Sequence, residues 1–133
     1  MFELKTRILV VDDMKAMRKM IMNMIKDLGF SELSEAEDGN VAWEVISKND
    51  PAIQVVISDW NMPNCTGLDL LKKVRADKRF TNLPFLMVTA EAEGRQVATA
   101  VAAGVDGYVV KPFAQAGLSE KLEILYQKTA GKK

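Results

Sequence analysis

Four short uninterrupted apolar runs recur along the chain, at residues 8–11, 55–57, 85–88 and 109–110, with a weaker one at 33–36. Runs this short, with no polar residue alternating through them, suit strands covered on both faces, as in a parallel sheet packed between helices. Helical periodicity fills the gaps. Met14, Met17, Ile21, Met24, Ile25 and Leu28 recur at i, i+3/i+4 spacing, with Lys15, Lys19 and Lys26 off that stripe and Gly29 placed to end the helix. Further helices are predicted over 41–48, 68–77, 95–103 and 118–128. Turn residues separate them: Asp38-Gly39-Asn40, Asn49-Asp50-Pro51, Pro63-Asn64, Asn82 with Pro84, and Gly104. The pattern is five βα units in succession, an α/β fold with helices on both faces of a parallel sheet. Residues 1–133 read as one domain, with no repeat, no low-complexity segment and no linker.

Composition narrows the chemistry. A length of 133 residues buries a core without disulfides or metals, and 48% apolar with 27% charged residues is ordinary for a globular protein. Of the eight methionines, Met14, Met17 and Met24 follow the first helical stripe and read as core, while Met20 and Met22 fall off it. Eighteen acidic and eighteen basic residues cancel, which argues against nucleic acid as the main partner. A single cysteine fits a reducing cytoplasm. No apolar signal core opens the chain, and no run approaches the roughly 18 residues a membrane span needs. The absence of histidine excludes Ser-His-Asp and Cys-His catalysis, histidine-ligated zinc and any self-contained phosphohistidine chemistry.

In an open parallel sheet, ligands bind beyond the carboxyl ends of the strands. The residues following the apolar runs are Asp12 and Asp13, then Asp59, then Thr89, then Lys111. Three carboxylates, a hydroxyl and an ammonium would share one edge. Carboxylates crowded together oppose their own ionisation, and a hard divalent cation such as Mg2+ relieves the repulsion. Such a site suits phosphoryl chemistry, with Asp59, after the central strand, as nucleophile and acyl-phosphate former. Taken singly, each residue has a plainer reading. Asp13 could cap the following helix, Asp12 could be a solvated loop acid, Thr89 a turn residue and Lys111 a surface lysine at a strand end. Their shared position is what favours a site.

Other nucleotide and cofactor classes fare worse. No two glycines are spaced two apart, so the dinucleotide fingerprint is missing, and no Walker-type loop follows the first strand. A flavin phosphate would be repelled by Asp12 and Asp13. A small Mg2+-dependent phosphatase with an aspartyl-phosphate intermediate stays open as the alternative of another class, although it usually carries a second acid two residues past its nucleophile, where this chain has Asn61.

These residues carry a family resemblance. Val10-Val11-Asp12-Asp13, Glu35-Ala36-Glu37-Asp38-Gly39, Ser58-Asp59-Trp60-Asn61-Met62-Pro63 with Gly67, Met87-Val88-Thr89-Ala90-Glu91-Ala92 and Gly107-Tyr108-Val109-Val110-Lys111-Pro112-Phe113 resemble the response-regulator receiver family from end to end. The Trp60-Asn61 and Glu91-Ala92 flanks are similar to its stand-alone chemotaxis branch. The resemblance implies a five-stranded flavodoxin-like sheet in the order 2-1-3-4-5, a receiver with no output domain, and a protein that is not an enzyme on free substrates. It implies that Asp59 accepts a phosphoryl group from a histidine kinase or a small donor such as acetyl phosphate. Asp13, Asp59 and the Asn61 carbonyl would bind Mg2+, with Asp12 acting through water; Thr89 and Lys111 would contact phosphoryl oxygens. A cis Lys111-Pro112 bond would aim the lysine inward. Thr89 and Tyr108 would form a switch acting on the face of helix 95–103, strand 106–110 and the last helix, where Lys121 lies. That face would bind a flagellar motor switch protein or another target, and a phosphatase could act on the phosphorylated form; the expected state is a monomer.

Two departures bear on partners. Glu93 and Gly94 follow Ala92 where chemotaxis receivers tend to be basic, which puts motor binding in question and leaves open a phosphate sink or another pathway. Cys65-Thr66 replaces the more usual residues before Gly67, and Cys65 reads as incidental.

Overall fold

The computed structural model describes residues 2–90 and 94–130, without the side chains of 94–96 and 130. Glu91, Ala92 and Glu93, which bear on the chemotaxis resemblance and on motor binding, lie outside the described residues. The elements alternate in chain order: β1 (Ile8–Val11), α1 (Lys15–Asp27), β2 (Leu33–Ala36), α2 (Gly39–Lys48), β3 (Val55–Asp59), α3 (Gly67–Ala76), β4 (Phe85–Thr89), α4 (Gly94–Ala102), β5 (Gly107–Val110) and α5 (Gln115–Ala130). All pairings are parallel, and the sheet runs β2-β1-β3-β4-β5, the order expected of a flavodoxin-like fold.

The sheet divides the core in two. Along β1, Ile8 and Val10 point to one side, where Ile21, Met22 and Ile25 of α1 meet Leu118, Leu122 and Leu125 of α5. Leu9 and Val11 point to the other, against Ala42 and Ile46 of α2, Leu70, Leu71 and Val74 of α3 and Ala100 of α4. Strands β1, β3 and β4 are buried throughout, whereas the edge strands β2 and β5 are only partly covered. No helix of the described residues is long and apolar enough to cross a membrane.

Element boundaries differ from the periodic pattern where polar residues decide them. Helix α2 starts at Gly39, ahead of the predicted 41, because the Asp38 carboxylate accepts from the Val41 amide at 2.9 Å. Thr66 caps α3 in the same way through the Asp69 amide. Helix α5 begins at Gln115 and not 118, in a first turn whose residues carry no apolar stripe. The predicted stripe on α1 holds from Met17 to Leu28 and is wider than expected, since Met22 is buried as well; Met14 sits at the N-cap, ahead of the helix, and is 59% exposed.

Arg75 at the end of α3 closes the edge of the sheet where the strands begin. Its guanidinium donates to the carbonyls of Gly104 (2.8 Å), Leu83 (2.7 Å) and Phe80 (3.4 Å) and to the Asp106 carboxylate (2.8 Å), which also accepts from the Phe85 amide. One side chain thereby ties the entries to β4 and β5 together. No spacing rule along the chain marks this pair.

Candidate functional site

The carboxyl ends of β1, β3, β4 and β5 bring the predicted residues to one edge. Asp12, Asp13 and Asp59 each offer a carboxylate oxygen, and these oxygens all lie within 4.8 Å of one another. Asp12 is fully buried and Asp59 nearly so, whereas Asp13 is exposed. The plainer readings of the acid pair do not hold: Asp12 is not solvated, and no side chain caps α1, so Asp13 is no helix cap. Instead the Met14 amide donates to Asp12 Oδ1 at 2.9 Å.

Lys111 reaches into this group. Its Nζ lies 3.2 Å from Asp59 Oδ1 and 3.7 Å from Asp12 Oδ2, with its side chain only 18% exposed. The Lys111-Pro112 peptide is cis, as expected, and the Lys111 amide donates to the Thr89 carbonyl at 2.7 Å, joining β5 to β4 at their ends. Thr89 is buried at the end of β4. Asn61 is exposed, two residues beyond Asp59. The Trp60 amide donates to Asp59 Oδ1 at 2.9 Å, so that oxygen is held by both an amide and an ammonium.

One lysine does not neutralise three acids. Burial, and secondarily the Asp12 charge, raises the Asp59 carboxyl above the ordinary aspartate range. Burial likewise raises Asp12, with a smaller upward push from Asp13. Among the described residues no group donates a hydrogen bond to the buried Asp12 Oδ2, and the Lys111 ammonium stands 3.7 Å off, an expensive arrangement for a carboxylate oxygen unless a closer cation or water meets it. The donor set is oxygen only and partly open to solvent through Asp13. Those properties fit Mg2+, which prefers a few carboxylates and retained water.

Gly67 at the start of α3 packs directly beneath this group. Its amide donates to the Trp60 carbonyl at 3.0 Å, and an added Cβ would collide with the Asp59 backbone carbonyl and come within 2.9 Å of the Met87 sulfur. Cys65 is buried against Gly39, and burial raises its thiol pKa, in keeping with an incidental cysteine. Tyr108 on β5 is half-buried against the core, and the Lys121 ammonium lies 5.4 Å from its ring centroid. The lysine is therefore not a freely extended surface charge.

Sequence reasoning missed Arg18, whose guanidinium donates to the Asp12 carbonyl and to Glu35 Oε1, both at 2.7 Å. A basic residue one turn into the helix that follows an acid pair was the available signal.

Comparison with known proteins agrees with this geometry. The response regulator receiver domain model matches residues 8–123. The chain is 47% identical over 122 residues to the chemotaxis protein CheY-3 of Vibrio cholerae, covering 92% of each. It is also 47% identical over 125 residues to the chemotaxis protein CheY of Pseudomonas aeruginosa, covering 94% of this chain and 99% of the relative. The solved structure of Vibrio cholerae CheY4 superposes with a TM-score of 0.83 at 33% identity, covering 91% of this chain and 98% of that one. With a receiver's strand order and an acidic pocket suited to phosphorylation with Mg2+, the chain belongs to the response regulator receiver family and is closely related to the CheY chemotaxis proteins.

Proposed function

We propose that this receiver accepts a phosphoryl group on Asp59 from a histidine kinase of the chemotaxis type, in the cytoplasm, and passes the signal by reversible binding to a target. The reading is carried by the environment of one side chain. Asp59 ends the central strand β3, buried beside Asp12 and held by Lys111 at 3.2 Å.

In the transfer, an Asp59 carboxylate oxygen attacks phosphorus and forms a new O–P bond. The P–N bond of a phosphohistidine, or the P–O bond to acetate in acetyl phosphate, breaks and its electron pair leaves with the donor. Because this chain has no histidine, the phosphohistidine belongs to the partner. Lys111 exchanges its contact with Asp59 for one with a phosphoryl oxygen, and the Thr89 hydroxyl takes another. Asp13, Asp59 and the Asn61 carbonyl would hold Mg2+, with Asp12 through water; when bound, the ion supplies the positive charge that offsets the three acids and the incoming oxygens. Movement of Thr89 toward the phosphoryl group vacates space that the half-buried Tyr108 ring can enter. The face of α4, β5 and α5 would thereby change its affinity for a partner such as the flagellar motor switch protein.

Incubation with Mg2+ and acetyl phosphate tests the acceptor. A stoichiometric, acid-stable, hydroxylamine-labile label on the parent chain that is lost in Asp59→Asn supports the reading. Rapid turnover of assorted phosphomonoesters would instead make the chain a small phosphatase. A pull-down with and without a phosphoryl mimic, using the motor switch protein as bait, separates motor control from a phosphate sink: capture that rises with phosphorylation is the expected result.

A further inference from the structure

We infer that Arg18 is a positioning residue for the cation-binding acids, acting through the backbone of Asp12 and itself held by Glu35; the inference rests on the Mg2+ reading above. Asp12 is constrained on three sides. Its amide donates to the Ala36 carbonyl at 3.1 Å, its Oδ1 accepts from the Met14 amide at 2.9 Å, and its carbonyl accepts from Arg18 at 2.7 Å. Only Oδ2 is left over, buried and facing Lys111. The peptide that Arg18 grips is the one joining Asp12 to Asp13, so the same contact sets the direction of both acids. Asp13 is exposed at the mouth of the site.

Arg18 is well placed for this. Its side chain is 12% exposed, and its guanidinium spans from the β1 turn to Glu35 on β2. Glu35 also takes the Lys19 ammonium at 2.8 Å, and the two cations draw its carboxyl below the usual range, so it stays charged. A planar guanidinium can serve a carbonyl and a carboxylate at once, which a point-charge ammonium does less well. Outer contacts that orient metal ligands commonly matter to affinity nearly as much as the ligands.

The test is Mg2+ titration of the full chain, followed by the amide resonances of Asp13 and Trp60. Variants are Arg18→Met, which keeps the apolar stem, Glu35→Ala, Arg18→Lys, and Arg75→Met, a buried arginine at the opposite edge of the sheet. Arg18→Met is expected to weaken Mg2+ binding about tenfold, with Glu35→Ala and Arg18→Lys in between. Acetyl phosphate labelling at saturating Mg2+ should change by less than about twofold, since the nucleophile is untouched. Arg75→Met should lower thermal stability and leave Mg2+ affinity unchanged. If Arg18→Met fails to fold, Glu35→Ala and Arg18→Lys carry the test, and both must still weaken binding. Parental Mg2+ affinity in the Arg18 and Glu35 variants overturns the positioning role alone. Equal weakening in Arg75→Met reduces it to general destabilisation and also overturns it. No Mg2+-dependent shift in the parent chain overturns the metal reading, and this inference with it.

Discussion

Lys111 Nζ is closer to Asp59 Oδ1 than to Asp12 Oδ2, 3.2 Å against 3.7 Å, so a single ammonium is shared unequally between two buried acids that repel each other. Both carboxyls are raised above the ordinary aspartate range, chiefly by burial. A raised acid holds its proton more tightly in the folded chain than in the unfolded one. This pair therefore favours folding at acid pH, and that contribution is lost as pH rises through the raised folded values. Asp59→Asn should accordingly raise the melting temperature at neutral pH in Mg2+-free buffer, with the gain over the parent widening as pH increases from the acid side. Thermal unfolding of both proteins across pH checks this. A gain that shrinks with rising pH contradicts it.

Mg2+ should reverse that ranking. An ion that binds only the folded chain stabilises it by mass action, and the parent offers the full set of acids. Added Mg2+ is expected to raise the melting temperature of the parent more than that of Asp59→Asn, and chelation should undo the difference. Equal responses in the two proteins would place the ion elsewhere.

Gly67→Ala should cost about 1–3 kcal/mol, the usual range for forcing extra volume into a packed site. The obstacle is the Asp59 backbone carbonyl, which cannot swing aside as a flexible side chain can. Urea unfolding should show a lower midpoint at unchanged slope. Phosphoryl labelling should fall too, because any relief displaces Asp59. Stability equal to the parent's would mean that the turn between β3 and α3 is looser than its contacts indicate.

Arg75→Met should be more damaging, by about 3–5 kcal/mol, because it strips the guanidinium from an Asp106 that is only 1% exposed. Adding Asp106→Asn should recover part of the loss, since the amide oxygen can still accept from Phe85. Chemical denaturation of the two single variants and the double variant provides the cycle. Strictly additive losses would show that the two groups are not coupled.

Cys65 should resist thiol reagents in the folded chain and react fully in denaturant. Its side chain is buried and its thiol pKa raised, so little thiolate is available at neutral pH. Rapid stoichiometric labelling of native protein would show that the loop after Asp59 opens readily.

Much of this architecture is legible without coordinates because it depends on local composition. Fully buried strands must be apolar on both faces, so β1, β3 and β4 stand out as runs, and the acids, Thr89 and Lys111 are marked simply by following them. Helix starts are less visible: α2 is set by one Asp38 hydrogen bond and α5 by a first turn without an apolar stripe. The inward Met22 belongs to the core that α1 shares with α5, a neighbour more than 90 residues away that no periodicity along α1 reveals. Arg75 with Asp106 is an ion pair between separate elements and leaves no spacing rule in the chain, whereas Arg18 is marked by its place one turn after the acid pair and only its Glu35 partner is not.

The parallel sheet has a kinetic corollary. Asp12, Asp59, Thr89 and Lys111 are contributed by four different strand ends spread over most of the chain, so no fragment contains the site. Fraying β5 from β4 withdraws the lysine first and leaves the acids facing one another unscreened. The edge strand that carries Tyr108 is thus also the strand whose departure most directly disarms Asp59. Separation of β5 from β4 would take Lys111 and Tyr108 away together, while Asp12 and Asp59 stay side by side at the ends of the paired strands β1 and β3.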